Sequence, residues 1–304
     1  TALDAITTGD QNVAIGYNSL TANTTAAANT AIGYNTGGSI TTGGYNTLVG
    51  LNVGDAITTG ESNSIFGGGA GGAITTASNN TALGYAALQA STTVAGLTAV
   101  GYAALYANTS GIENVAVGFE ALKTLSTGNY NTAVGYGAAD AVTTGTANTI
   151  VGDVAATALT TGGNNTVFGR NALAAITTAG SNTAIGGNAA AALTSGQYNI
   201  AIGLNCMYAA VTGDSNIGVG NDTFTVLTSG AANIAMGRYT LDALTTGSSN
   251  IGIGAPSLSG VTTGSSNIGI GVAAGTAITT GEKNTAVGGG AGQSITTGVN
   301  NTCI

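Results

Sequence analysis

The sequence predicts an all-β protein, a parallel β-solenoid (β-roll) of about eighteen coils of 17 residues each. Three observations predict it. Asn recurs at 12, 29, 46, 63 and 80, then at 114, 131, 148, 165, 182, 199, 216, 233, 250, 267, 284 and 301, always in steps of 17, with Leu97 in the one vacant slot. Four residues after each of these positions stands a glycine, from Gly16 to Gly288 without exception. Glycine makes up 52 of 304 residues beside a single proline, a balance that fits neither collagen nor a disordered linker. A period this strict in a glycine-rich chain is the mark of backbone coils stacked like over like.

Each coil is numbered from its Asn as position 1. Position 4 is large and apolar in every copy, from Ile15 and Ile32 through Phe66 to Ile304. Position 2 alternates between Thr and β-branched apolar residues, as in Thr30, Val115 and Ile217, and position 3 between them is mostly Ala or Gly. This period of two predicts a strand over positions 1–5, with 2 and 4 on one face and 3 on the other. The small residue at 3 implies that something packs closely against it. Large buried side chains are expected at 4, 9 and 12. Glycine at 5 implies a positive φ or a backbone passing close by. A second strand is expected over positions 11–15, as in Ala56-Ile57-Thr58-Thr59-Gly60, closed by a glycine turn.

The charged residues test this frame. All sixteen fall at positions 6, 7, 10, 16 or 17, as Arg170, Glu120, Asp140, Glu61 and Lys283 illustrate. The eleven Tyr fall at 6, 7, 10 and 17, and Pro256 sits at 7. Buried charge is costly, so these positions are expected to be the exposed corners of the coil. The Asn of position 1 is expected to run an amide ladder from coil to coil, as stacked Asn does in cross-β structures.

One coil alone buries too little to fold, so stability must come from stacking. Residues 1–304 are expected to form one repeat domain. A strand apolar on both faces is expected to be covered on both. The chain opens on Thr1 at position 7 and closes on Ile304 at position 4, in mid-coil and without polar caps, as expected of part of a longer fibre or of ends that stack on other copies.

The combination Thr-Thr-Gly-x-x-Asn-Thr-Ala-Ile-Gly-Tyr-x-Ala-Leu resembles the head repeats of trimeric autotransporter adhesins. It is closer still to the 17-residue repeats of phage tail-fibre proteins and related bacterial surface proteins. Thr127-Gly128-Asn129-Tyr130-Asn131-Thr132-Ala133-Val134-Gly135-Tyr136 is the clearest match, and the resemblance runs the length of the chain. It implies a left-handed β-roll, a homotrimer, and a place outside the cell, on a cell surface or on a virion, as an adhesive shaft or head.

Other function classes find less support. Net charge is −8 with no basic cluster, which argues against nucleic acid. No run of about 20 apolar residues exists to insert in a membrane. There is no His for triads or His metal sites, the carboxylates are scattered, and no cofactor is expected. Gly67–Gly72 matches Gly-x-Gly-x-x-Gly but lacks a following helix, so it reads as the repeat and not as a dinucleotide site. Cys206 and Cys303 are over five coils apart, too far to bridge within one straight solenoid. Thr pairs at 13 and 14 raise ice binding, although a pleat would leave only one exposed column. The expected contact residues for surface glycan or receptor are Tyr17, Tyr34, Tyr85, Tyr102 and Tyr136, all at position 6. The competing reading is that these rings staple neighbouring corners. The leading function is a non-catalytic structural and adhesive fibre segment; the alternative is a self-assembling extracellular filament stacked end to end.

Overall fold

The structure, a computed structural model, describes all residues, 1–304. It contains strands and turns and no helix. The chain divides into two compact units, 1–148 and 149–304. The first carries eight strands, β1 (Val13–Ile15) through β8 (Thr132–Val134), and the second ten, β9 (Thr149–Val151) through β18 (Thr302–Cys303). Within each unit, successive strands pair in parallel with every residue opposite the one 17 further on. Ile32 lies opposite Val49 and Val49 opposite Phe66, so the predicted stacking of like over like holds. With no helix present, none is long and apolar enough to cross a membrane.

The strands are three residues long because position 5 cannot continue them. Its glycines sit at positive φ, +140° at Gly33, and a Cβ there would strike the carbonyl oxygen of Gly50 in the next coil. Both reasons for glycine therefore apply at once. Left-handed residues then turn the chain at positions 7, 9 and 17, as at Asn35 (φ 52°), Leu20 (φ 51°) and Tyr45 (φ 60°).

The run at positions 11–15 is not a strand. Thr58 N–H donates to Thr75 O at 2.8 Å, and Gly60 N–H leans on the same carbonyl at 3.4 Å. Two donors share one acceptor, so the backbone bends around position 13 instead of extending. A coil that must close within 17 residues has no room for a second straight side of that length.

The pleat is inverted relative to expectation. Position 3 points into the coil, and positions 2 and 4 point out. Ala82 is fully buried whereas Leu83 beside it is 50% exposed. The interior is thin, so it takes the small residue of the strand and leaves the large one outside. What packs against position 3 is position 9. Ala82, Ala99 and Ala116 are fully buried, and so are Leu88, Leu105 and Leu122 six residues on. Where the strand carries Leu48 or Ile65, position 9 shrinks to Gly54 or Gly71, and a Cβ on Gly71 would come within 2.8 Å of Ile65 Cδ1. Where the strand shrinks to Gly218, position 9 grows to Phe224, the largest fully buried side chain. In these coils large and small are exchanged between positions 3 and 9; where both are small, as at Gly269 and Gly275, a side chain of the neighbouring coil, Leu258, fills the space.

Position 12 completes the core, with Ile57, Leu125 and Leu244 buried as expected. Position 8 holds only small or slender residues. Where these are hydroxylic they donate to a nearby carbonyl, Thr36 Oγ1 to Gly50 O at 2.6 Å and Ser257 Oγ to Gly269 O at 2.8 Å. The Asn ladder is present in both units. Asn46 Nδ2 donates to Asn29 Oδ1 at 3.1 Å and to Gly60 O at 2.9 Å, and Asn216 repeats this with Asn199 and Gly230. Each Oδ1 also accepts the backbone N–H of the next Asn, as Asn46 Oδ1 does from Asn63 at 3.0 Å. Buried amides are thus satisfied on both ends.

Coil 80–96 is the irregular one. It is followed by Leu97 in the Asn column, so Asn114 finds no side-chain oxygen above it. Val94 replaces the glycine of position 15, and Ser91, in the Ile/Leu/Val column, leaves its Oγ buried without a partner.

Candidate functional site

Four outward columns offer surface for function. The first is the face of positions 2 and 4. Over five successive coils of the second unit it is wholly apolar: Ile200, Ile217, Ile234, Ile251 and Ile268 alternate with Ile202, Val219, Met236, Ile253 and Ile270. Met236, Ile253 and Ile270 are exposed and the rest are half-buried. A contiguous apolar stripe of this kind is unusual on a monomer surface.

The second column is position 6, where all five predicted tyrosines stand exposed, from 46% at Tyr102 to 62% at Tyr85. Tyr17 stacks on Tyr34 with ring centroids 5.3 Å apart. Tyr85 stacks on Tyr102 at 5.6 Å, Tyr102 on Phe119 at 5.0 Å, and Phe119 on Tyr136 at 5.0 Å. The five tyrosines therefore fall into two groups. Tyr17 and Tyr34 form a pair, and Tyr85, Tyr102 and Tyr136 form a four-ring ladder joined by Phe119. Coil spacing sets this geometry: strands about 4.8 Å apart place like side chains at stacking distance. The rings thus staple neighbouring coils, as the competing reading expected, while each tyrosine stays exposed. Phe119 was missed because a phenyl ring has no hydroxyl to suggest a polar ligand, yet its position number alone puts it in the column.

The third column is position 10, expected to be a fully exposed corner. Asp55, Asp140 and Asp242 are instead half-buried there, and burial pushes each carboxyl above its ordinary value of 3.8. The backbone folds inward next to position 9, which takes the carboxylate partly with it. Oδ1 of Asp140 and of Asp242 has no hydrogen-bond partner. Other charges are paired. Lys123 pairs with Glu120 at 2.7 Å, Arg170 with Asp153 at 3.3 Å, and Arg238 lies over the Tyr239 ring at 4.4 Å.

The fourth column is the Thr pair. Position 13 is tied down, since its hydroxyl donates to the carbonyl of the next coil, as Thr41 Oγ1 does to Thr58 O at 3.3 Å. Position 14 is exposed in each coil, as at Thr42, Thr59 and Thr76. One hydroxyl column faces solvent, a single file with no parallel partner in register.

Cys206 occupies a buried position 8, and Cys303 is half-buried; both thiols are free. Burial pushes the Cys206 thiol up to about 12, which leaves it protonated and inert at neutral pH. A scan against protein-family models finds no match, and a search of curated proteins finds no significant relative, so the reading of these columns rests on their own chemistry.

Proposed function

We propose that the chain is a structural and adhesive fibre segment, non-catalytic, assembled as a homotrimer and displayed outside the cell, on a cell surface or on a virion. The observation that carries this reading is the open aliphatic face of positions 2 and 4. Its position 4 is apolar in every coil and its position 2 is Ile in five successive coils; a second copy of the chain carries the same spacing, so copies laid side by side can match residue for residue along those coils. Burial of such a stripe contributes roughly 25 cal/mol per Å², enough over several coils to hold copies together. The homotrimer and the extracellular placement follow the resemblance of the repeats to adhesin heads and tail-fibre proteins. The aromatic column at position 6 stands beyond the glycine of position 5 that ends this face, and its exposed rings offer contact for glycan or receptor.

Sedimentation velocity and negative-stain images of the purified chain test this. The expected result is a discrete trimer, with particles of a single size. Replacing Ile253 and Ile270 together by Asp is expected to return the chain to monomers with an unchanged circular dichroism spectrum. A wild-type monomer at tens of micromolar would refute the assembly. Fibres of indefinite length would favour end-to-end stacking into a filament, and glycan depolymerisation would overturn the non-catalytic reading.

A further inference from the structure

Between the tyrosine pair and the aromatic ladder, the position 6 column is interrupted by Leu51 and then Gly68. Gly68 belongs to the run Gly67-Gly68-Gly69-Ala70-Gly71-Gly72. The fold demands two of these glycines: a Cβ on Gly67 would run into the Gly84 backbone, and one on Gly71 into Ile65. It does not demand the other three. Gly68 has ordinary φ, and the first atom a Cβ would meet there is the Tyr85 ring at 3.4 Å. A Cβ on Gly69 would meet nothing within 4 Å, and the same left-handed position carries Asn35, Ala86 and Glu120 in other coils. A Cβ on Gly72 would approach only Gly69 O within 3.4 Å, at 3.3 Å. The coil has given up its outward side chains where packing did not require it.

The result is a hollow of about 550 Å³ with a glycine floor. Leu51, Asn52 and Asp55 form one wall, and Tyr85 and Gln89 the other. Leu51 and Tyr85 are two coils apart, about 9.6 Å at about 4.8 Å per coil, which admits one saturated ring between them and not two. Tyr85 is braced from behind by Tyr102 and leans over Gly68. Asp55 is fixed by Asn35 Nδ2, which donates to its Oδ2 at 3.4 Å, while its Oδ1 approaches Gly72. An apolar ring face, a carboxylate acceptor and two side-chain amides suit the C–H face and hydroxyls of a sugar. The walls hold no cation, and the half-buried Asp55 repels anions.

We propose that this slot takes one neutral pyranose ring of a glycan, its C–H face on Tyr85 and its hydroxyls at Asp55, Asn52 and Gln89. This deepens the glycan-contact reading of the aromatic column and rests on it. Ligand-observed NMR titrations with the methyl glycosides of glucose, mannose, galactose and N-acetylglucosamine test it, using the wild type, Gly68→Tyr and Tyr136→Ala. Gly68→Tyr refills the column with the residue found there in other coils; circular dichroism checks its fold. The expected result is binding of at least one neutral glycoside, weakened about tenfold or more by Gly68→Tyr and unchanged by Tyr136→Ala. Binding that survives Gly68→Tyr but is lost in Tyr136→Ala overturns the slot while the wider aromatic contact stands. No binding of any neutral glycoside, in a chain that still assembles, overturns both the slot and the glycan contact and leaves the fibre. Binding of sialic acid or choline alone, run as charged controls, overturns the slot's neutral specificity and with it the proposal.

Discussion

Truncating one rung of the Asn ladder, Asn46→Ala, removes four hydrogen bonds at once. Asn46 Nδ2 loses Asn29 Oδ1 and Gly60 O, at 3.1 and 2.9 Å, and Asn46 Oδ1 no longer accepts from Asn63 N and Nδ2, both at 3.0 Å. Asn63 Nδ2 keeps Ala77 O at 3.0 Å, and Asn29 Oδ1 keeps the Asn46 backbone N–H at 2.9 Å. The Gly60 carbonyl and the Asn63 N–H lose the Asn46 side chain and gain nothing in return. Four bonds at about 1 kcal/mol each, or two orphaned buried groups at about 1–3 kcal/mol each, both lead to a loss of about 4 kcal/mol. Because coils contact only their neighbours, the damage is expected to centre on coils 29–79. Urea unfolding followed by circular dichroism reads the overall shift, and hydrogen exchange at the Asn63 amide reads the local one. Thr42→Ala, at an exposed position 14, is the control and is expected to lie within about 0.5 kcal/mol of wild type. If Asn46→Ala and Thr42→Ala had the same unfolding midpoint, the ladder would be decoration and the account of the coil interior would fail.

Ser91→Ala deletes the unpartnered buried hydroxyl of the irregular coil and is expected to raise stability by about 1 kcal/mol, measured by the same urea titration; a loss would mean that the hydroxyl has a partner. Asp140 has its carboxyl raised by burial, so the folded state holds that proton more tightly than the unfolded chain does. Its contribution therefore favours folding below pH 3.8 and is lost as pH climbs through the raised value. Asp140→Asn is accordingly expected to stabilise at pH 7 and to show no such gain at pH 3, as judged by thermal melts at the two values; an equal effect at both would rule out the charge as cause. With a chromogenic disulfide reagent at pH 8, only Cys303 is expected to react in the folded chain, and Cys206 only after denaturant. Rapid release of two equivalents from folded protein would contradict the burial of Cys206.

The coil length, a strand within the expected positions 1–5 (observed at 2–4), the glycine barrier at 5 and the Asn ladder were all legible, because each depends on identity recurring at one spacing. The direction of the pleat was not. Val115-Ala116-Val117 is apolar at every position, so alternation marks two faces without saying which is inside. Assigning the larger residues to the interior was the error, since the coil is too thin to hold them. The decisive signal was present in pairs six residues apart: Leu48 with Gly54, Ile65 with Gly71, Gly218 with Phe224. The second strand failed for another reason. Thr58-Thr59 has strand composition, but hydrogen bonding up the stack there converges two donors, Thr58 and Gly60 N–H, on the one carbonyl of Thr75, which bends the segment. Of the contact residues, the five tyrosines were visible as large rings in one column. The Gly68 slot was not, because it is defined by missing side chains, which a search for functional groups passes over.

The exchange of large for small between positions 3 and 9 has an evolutionary corollary. Where it occurs, both partners lie six residues apart, so a whole turn copied or excised by recombination between near-identical gene segments carries that match with it. An indel of 17 residues would keep the columns in register, whereas one of 16 or 18 would misalign every column downstream. Length in such a chain should therefore drift in whole turns, much as beads are added to a string.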